Sequence, residues 1–293
     1  MIDPMILAAI DIGSNTVKLL VARAEGGKLL PVREEIAFTR LGEGIGEGKP
    51  LSAEAIARTT EAVVGFRAKA LAAGAGQVVV AATEAARTAP NGEEFLRACR
   101  SRGVDVRIVS GEEEARLSWL GGTVNMEPGP TVVLDVGGGS AEITAGDGTR
   151  VTWSVRLPIG AVRLRERFLS VQPARAAAWT LLEDHVRAAL AAVPPDLPGD
   201  LVGVGGTVAA LAKLAHPENP FQPITVEKLS SLALLLRGLP RPQVLALGVE
   251  WGREDIISPG AAVVLLAVRH LGRASIRPVA TGLRFGLLRQ LLG

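Results

Sequence analysis

Apolar residues in this chain fall into short, dense runs, and their spacing assigns the elements. MILAAID (5–11), VKLLVARA (17–24) and KLLPVREEIAFTRL (28–41) read as three strand-like stretches. A long helix is predicted over 52–74, begun by Ser52 with Glu54 two residues on and closed by Gly74. QVVVAAT (77–83) is a buried strand, GEEFLRACRSRG (92–103) a helix, VDVRIVS (104–110) a strand, and a further helix starts at about Glu112. The second half runs in the same order. TVVLDVG, AEITAG and RVTWSVRL precede the long helix PARAAAWTLLEDHVRAALAAV, the strand DLVGVGG and the helix TVAALAKLAH. Helix GAAVVLLAVRHLG, strand SIRPVA and helix GLRFGLLRQLLG close the chain.

Three strands, a helix, then alternating strand and helix, occurring twice, predict an α/β protein made of two domains related by duplication. Their expected ranges are 1–125 and 126–293, joined in the glycine- and proline-rich stretch 121–131. The terminal helix, 282–291, is expected to pack back on the first domain. Each half also drives a strand into an acid and a glycine turn, DIGSN at Asp11 and DVGGGS at Asp135, 124 residues apart. Both turns are expected to face one interdomain cleft, where ligands of such folds bind.

Either turn alone reads equally as a tight hairpin closure. At matching places of a duplicated plan, they read as backbone cradles for phosphate, because glycine lets successive N–H groups converge on an anion. Gly13, Ser14, Asn15, Gly137, Gly138, Gly139 and Ser140 are the candidates. An acid beside phosphate calls for a cation between them, so Asp11, Asp135 and Glu142 are candidate Mg2+ ligands. Glu142, seven residues after Asp135, also reads as a surface strand glutamate. A third turn, VGVGGTVAALAKL, offers Gly205, Gly206 and Thr207 as a phosphate or nucleoside contact at a helix start, or as a plain strand-to-helix turn. It fails as a dinucleotide fingerprint, with Val208 at the third glycine position. SGEEEARLSWLGG puts Glu112, Glu113 and Glu114 in a first helical turn, where acids suit the helix dipole. Glu114 shares a face with Leu117 and is the one expected to turn inward, as a general base. Arg87, just past the fourth strand, is a candidate phosphate contact or a surface ion pair.

Composition narrows the alternatives. The 293 residues are 48% hydrophobic, ample for two cores, and no apolar run reaches the roughly 18 residues of a membrane span. With no signal-peptide pattern, a cytoplasmic location is expected. Net charge is +2 and aromatics are 3%, which gives nucleic-acid binding no support. Arginine makes up 26 of the 32 basic residues, a bias that suits phosphate recognition and equally follows from coding composition. The single cysteine, Cys99, reads as a packed core thiol.

The ordered set AIDIGSNTVKLLVA, LGEGIGEGKPLS, ATEAARTAPNGEEF, IVSGEEEARLSWLGG, LDVGGGSAEI, GVGGTVAALA, GREDIISPGA and TGLRFG resembles the exopolyphosphatase / guanosine pentaphosphate phosphatase (Ppx/GppA) family over nearly the whole chain. The resemblance is to short members, without a C-terminal helical domain. It implies two actin-like (ASKHA, ribonuclease H-like) domains and magnesium-dependent release of terminal orthophosphate from polyphosphate, with pppGpp phosphohydrolysis or a non-catalytic alarmone sensor as alternatives. It implies Glu114 as general base, Arg87 on phosphate, and Asp11, Asp135 and Glu142 tied to magnesium and phosphate. A homodimer is expected by the same similarity. Phe285 departs from the family, which typically has a glutamate there.

Overall fold

The first three apolar runs form an antiparallel meander of β1 (Met5–Ile12), β2 (Val17–Glu25) and β3 (Lys28–Ala37). A computed structural model describes residues 5–26, 28–44, 48–148, 150–169 and 174–292. Pro173, residues 45–47 of the LGEGIGEG stretch and Gly293 lie outside them. After the meander come α1 (Ala53–Ala72), β4 (Gln77–Ala82), α2 (Glu84–Thr88), α3 (Gly92–Ser101), β5 (Arg107–Ile108) and α4 (Gly111–Gly122). The sheet order is β3-β2-β1-β4-β5, with β2 antiparallel to its neighbours and β1, β4 and β5 parallel. The expected strand at 104–110 shrinks to two residues, because Val104 and Val106 fill the core from a loop.

The second half repeats the plan with β6 (Pro130–Val136), β7 (Ala141–Asp147), β8 (Arg150–Leu157), α5 (Ala161–Phe168), α6 (Ala176–Leu190), β9 (Asp200–Val204) and α7 (Gly205–Ala215). It continues through β10 (Ile224–Thr225), α8 (Val226–Gly238), α9 (Arg241–Ala246), α10 (Ile257–His270) and β11 (Ser275–Pro278), and α11 (Leu283–Gln290) ends the chain. Its sheet order is β10-β11-β9-β6-β7-β8, so β8-β7-β6-β9-β11 reproduces the first sheet and β10 adds an edge. Both sheets therefore have the ribonuclease H-like order. Helices α2 and α5 were not among the predicted elements. The chain divides into one unit of the residues up to Val124 with the segment from Leu283 onward, and a second from Asn125 to Gly282.

In the first unit both sheet faces are buried, each by one set of alternating residues. Ala8, Ile10 and Ile12 pack with Val63 and Phe66 of α1 and Phe95 and Cys99 of α3. Leu7 and Ala9 pack with Leu117 of α4 and with Leu283, Phe285, Leu287 and Leu288 of α11. Phe285, where the resemblance leads one to expect a glutamate, is a buried core residue. Helix α11 lies so close to α4 that a Cβ on Gly286 would stand 2.1 Å from the Leu117 carbonyl oxygen. In the second unit one large cluster joins β6, β7 and β9 to α6, α7, α8 and α10, and α10 is apolar and buried almost throughout. Among the described residues no helix is long and apolar enough to cross a membrane.

Candidate active site

The first turn joins β1 to β2 and is closed by the Gly13 N–H donating to the Thr16 carbonyl at 2.9 Å. The segment after β3 supports it: the Arg40 N–H donates to the Asn15 carbonyl at 2.9 Å and the Gly42 N–H to the Ser14 carbonyl at 2.7 Å. A trans peptide puts its C=O and the following N–H on opposite sides. The amides of Asn15 and Thr16 are therefore turned away from the support. Arg40 makes its bond from the left-handed region, φ 48°, which costs a non-glycine residue roughly 1–2 kcal/mol. Asp11 continues the Leu7, Ala9 row on the face covered by α4 and α11, and its cross-strand neighbour is Lys18.

Glu114 is the third acid of the α4 first turn. Ser110 fixes this end of the helix, its hydroxyl accepting from the Glu113 N–H at 3.1 Å while its carbonyl accepts from the Glu114 N–H at 2.8 Å. Glu113 leans outward to Arg107, and Glu114 turns inward, its side chain 13% exposed. Arg87, placed by α2 immediately after β4, donates through Nη1 to Glu114 Oε2 at 3.0 Å and to the Val109 carbonyl at 2.7 Å. Through Nη2 it donates to Glu84 Oε2 at 2.9 Å. One guanidinium thus bridges two carboxylates. Replacing Ser110 with alanine is expected to cost about 1 kcal/mol of stability, read as a lowered melting temperature, and to reduce turnover only slightly.

The second turn has the same closure, with the Gly137 N–H donating to the Ser140 carbonyl at 2.9 Å. Here the support is the start of α5. The Ala161 N–H donates to the Gly137 carbonyl and the Val162 N–H to the Gly138 carbonyl, both at 2.9 Å, and Arg163 Nε donates to the Gly139 carbonyl at 2.9 Å. Three consecutive carbonyls face α5, so the amides of Gly138, Gly139 and Ser140 point the other way. That set is a concave anion receptor. The approach leaves no space for a side chain at Gly160, where a Cβ would stand 2.3 Å from Gly139 C and Ser140 N.

Asp135, Glu142 and Arg156 are successive cross-strand neighbours on β6, β7 and β8. Glu142 Oε1 accepts from the Ser140 hydroxyl at 2.5 Å and lies 3.4 Å from Arg156 Nε. Burial first, and then the nearby Arg163 charge, push the Arg156 guanidinium below its usual pKa. Two like charges held beside the turn favour an anion there. The Asp135 carboxylate lies against Gly205, the first residue of α7, where a Cβ would stand 2.4 Å from Oδ1 and where the helix dipole favours negative charge.

In the third turn the Thr207 hydroxyl donates to the Val136 carbonyl at 2.8 Å, a tie between α7 and β6. The guanidinium of buried Arg253 lies against Gly206, where a Cβ would stand 2.5 Å from Nη2. Burial lowers the pKa of Arg253, opposed by Glu250.

Within the first unit, therefore, Arg87 and Glu114 meet directly. In the second, Asp135, Glu142, the residues 137–140 and Gly205 are neighbours. The Ser140 and Thr207 hydroxyls are engaged within the fold, which leaves their amides as the groups to offer an anion. Sequence reasoning missed Lys18, Glu84, Arg156, Arg163 and Arg253. Lys18 was open to discovery, since it follows Asp11 by the seven residues that separate Glu142 from Asp135.

Comparison with known proteins bears on this geometry. The chain is 33% identical over 289 residues to Exopolyphosphatase 2 of Mycobacterium tuberculosis, with 90% of each chain covered. The solved Ppx/GppA family member of Aquifex aeolicus superposes with a TM-score of 0.83 at 28% identity, covering 98% of this chain and 97% of that one. An exopolyphosphatase from Cytophaga hutchinsonii shares the fold at a TM-score of 0.90 and 23% identity, covering 98% of each chain. The model of the Ppx/GppA phosphatase family matches residues 20–293, and the chain belongs to that family.

Proposed function

We propose that the protein is a magnesium-dependent exopolyphosphatase, which releases terminal orthophosphate from inorganic polyphosphate by attack of water. The observation that carries this reading is the second turn, whose carbonyls face α5 and whose three amides are thereby presented together to an anion. The first turn offers two amides by the same construction. A receptor made of amides binds phosphoryl oxygens repeated along a chain without selecting a base. In the turns Gly13–Asn15 and Gly137–Ser140, the amides of Asn15, Thr16, Gly138, Gly139 and Ser140 hold phosphates, with Gly205, Gly206 and Thr207 at the start of α7 adding a further contact.

Glu114 is assigned the base. Its carboxylate takes a proton from water as the water oxygen attacks the end phosphorus. The bond from that phosphorus to the bridging oxygen breaks, and the shortened chain leaves as a phosphate. Arg87 gives a phosphoryl oxygen the N–H it otherwise directs to Glu114, which withdraws positive charge from the base as the substrate is seated. Positioning and fixed charge supply most of the acceleration in phosphoryl transfer.

Magnesium suits the acids of the second turn. Asp135 and Glu142 are cross-strand neighbours, hence on one sheet face, and carboxylate oxygens are the donors a hard cation takes. Among the described residues no group of three or more His, Cys, Asp or Glu side chains could hold a metal ion. Asp135 and Glu142 would hold magnesium. When bound, it offsets the charge of the phosphate chain. The test measures orthophosphate release from polyphosphate and from pppGpp in parallel, with magnesium and with a chelator. Faster release from polyphosphate, abolished by chelation, is expected. Preference for pppGpp would overturn the substrate, and tight binding of either without release would make the protein a sensor.

A further inference from the structure

We propose that Glu84 is a positioning residue that sets the proton affinity of Glu114 by sharing Arg87 with it, an inference that rests on Glu114 being the base. Glu84 is the first residue of α2 and only 5% exposed, an unusual place for a carboxylate unless a cation holds it. That cation is Arg87, one helical turn on, and Arg87 is the group that reaches Glu114. A base paired one to one with arginine would be a poor proton acceptor, because the guanidinium favours its ionised form. A second carboxylate on the same guanidinium opposes that effect and raises the affinity of Glu114 for the proton it must take from water. Glu84 also fixes which nitrogen faces which acid, Nη2 to itself and Nη1 to Glu114 and the Val109 carbonyl.

On α4, Glu112 and Arg116 are exposed and Glu113 pairs with Arg107 of β5. On α3, which packs against α2, Glu93, Glu94, Arg97 and Arg100 are exposed. On α11, which packs against α4, Arg284 pairs with Glu34 and Arg289 is exposed. Strand β4 carries no charge, and the sheet face covered by α11 carries Asp11 of β1 and its cross-strand neighbour Lys18 of β2.

The test is the pH profile of kcat/KM for Glu84→Gln and Glu84→Asp beside the wild type. The glutamine keeps an oxygen for Arg87 but removes the charge. Its acid limb, which reports the base in the free enzyme, is expected to move to lower pH by about one unit, with a several-fold lower plateau. The aspartate keeps the charge, so its limb stays at the wild-type pH whatever its rate. An unshifted limb in Glu84→Gln, or an equal shift in both variants, overturns the proposal, since a merely structural role lowers activity at every pH alike. Should Glu84→Gln fail to fold, a limb moved to lower pH in Glu84→Asp overturns it as well, and an unmoved one supports it. Glu114→Gln separates this from the assignment of the base. If it loses the limb with the activity while Glu84→Gln leaves the limb in place, only the role of Glu84 fails; if it keeps both, the base itself is misassigned.

Discussion

Glu114→Gln is expected to lower kcat by about 10²- to 10⁴-fold, the contribution of a positioned general base. The substitution keeps the shape of the side chain, and its amide oxygen can still accept from Arg87 Nη1, the contact that holds Glu114 at 3.0 Å. The cap of α4 by Ser110 is untouched. Melting temperature and affinity for a short polyphosphate should therefore stay near wild type while orthophosphate release collapses. Turnover within a few-fold of wild type would remove Glu114 from the role. A parallel loss of binding would mean that the carboxylate acts mainly by holding Arg87.

The second large effect is expected from Gly160→Ala, a position outside the turn itself. The added methyl would stand 2.3 Å from backbone atoms of Gly139 and Ser140, which leaves the loop or α5 to move. Overpacking of this kind costs about 1–3 kcal/mol. More telling is where the strain goes, because the Gly137, Gly138 and Gly139 carbonyls are bonded to the first residues of α5. Shifting that register turns the peptide planes and disperses the three amides. The dissociation constant for a short polyphosphate should rise by roughly tenfold or more, the loss of one or two charge-assisted hydrogen bonds. Calorimetric titration beside thermal unfolding distinguishes the cases. Lower stability with unchanged affinity would show that these amides do not hold the ligand.

Much of this arrangement was legible before any coordinates. The acid-glycine turns stand out because glycine and a small polar residue interrupt two strongly apolar strands, and the order of elements around each turn is the same. Glu114 was separable from its neighbours by helical spacing alone. What escaped was the support beneath the turns. Helix α5 is short, buries only Ala161 and Leu164 and carries four charged residues among its eight; it acts on the turn mainly through backbone hydrogen bonds, which leave no mark on composition. The loop at Arg40–Gly42 supports the first turn in the same silent way. Glu84 sits among alanines in ATEAAR and looks like a helix-start acid, and only burial shows that it is held by Arg87. The Asp135, Glu142, Arg156 row could have been counted across the meander, because hairpin register fixes the partners.

The most direct measurement is a single-turnover reaction with polyphosphate in heavy-oxygen water, followed by mass analysis of the orthophosphate released. One solvent oxygen per orthophosphate is predicted, formed at a rate that depends on Glu114 and on magnesium. Orthophosphate without solvent oxygen, or phosphate recovered on a nucleotide or other acceptor instead, would contradict the account.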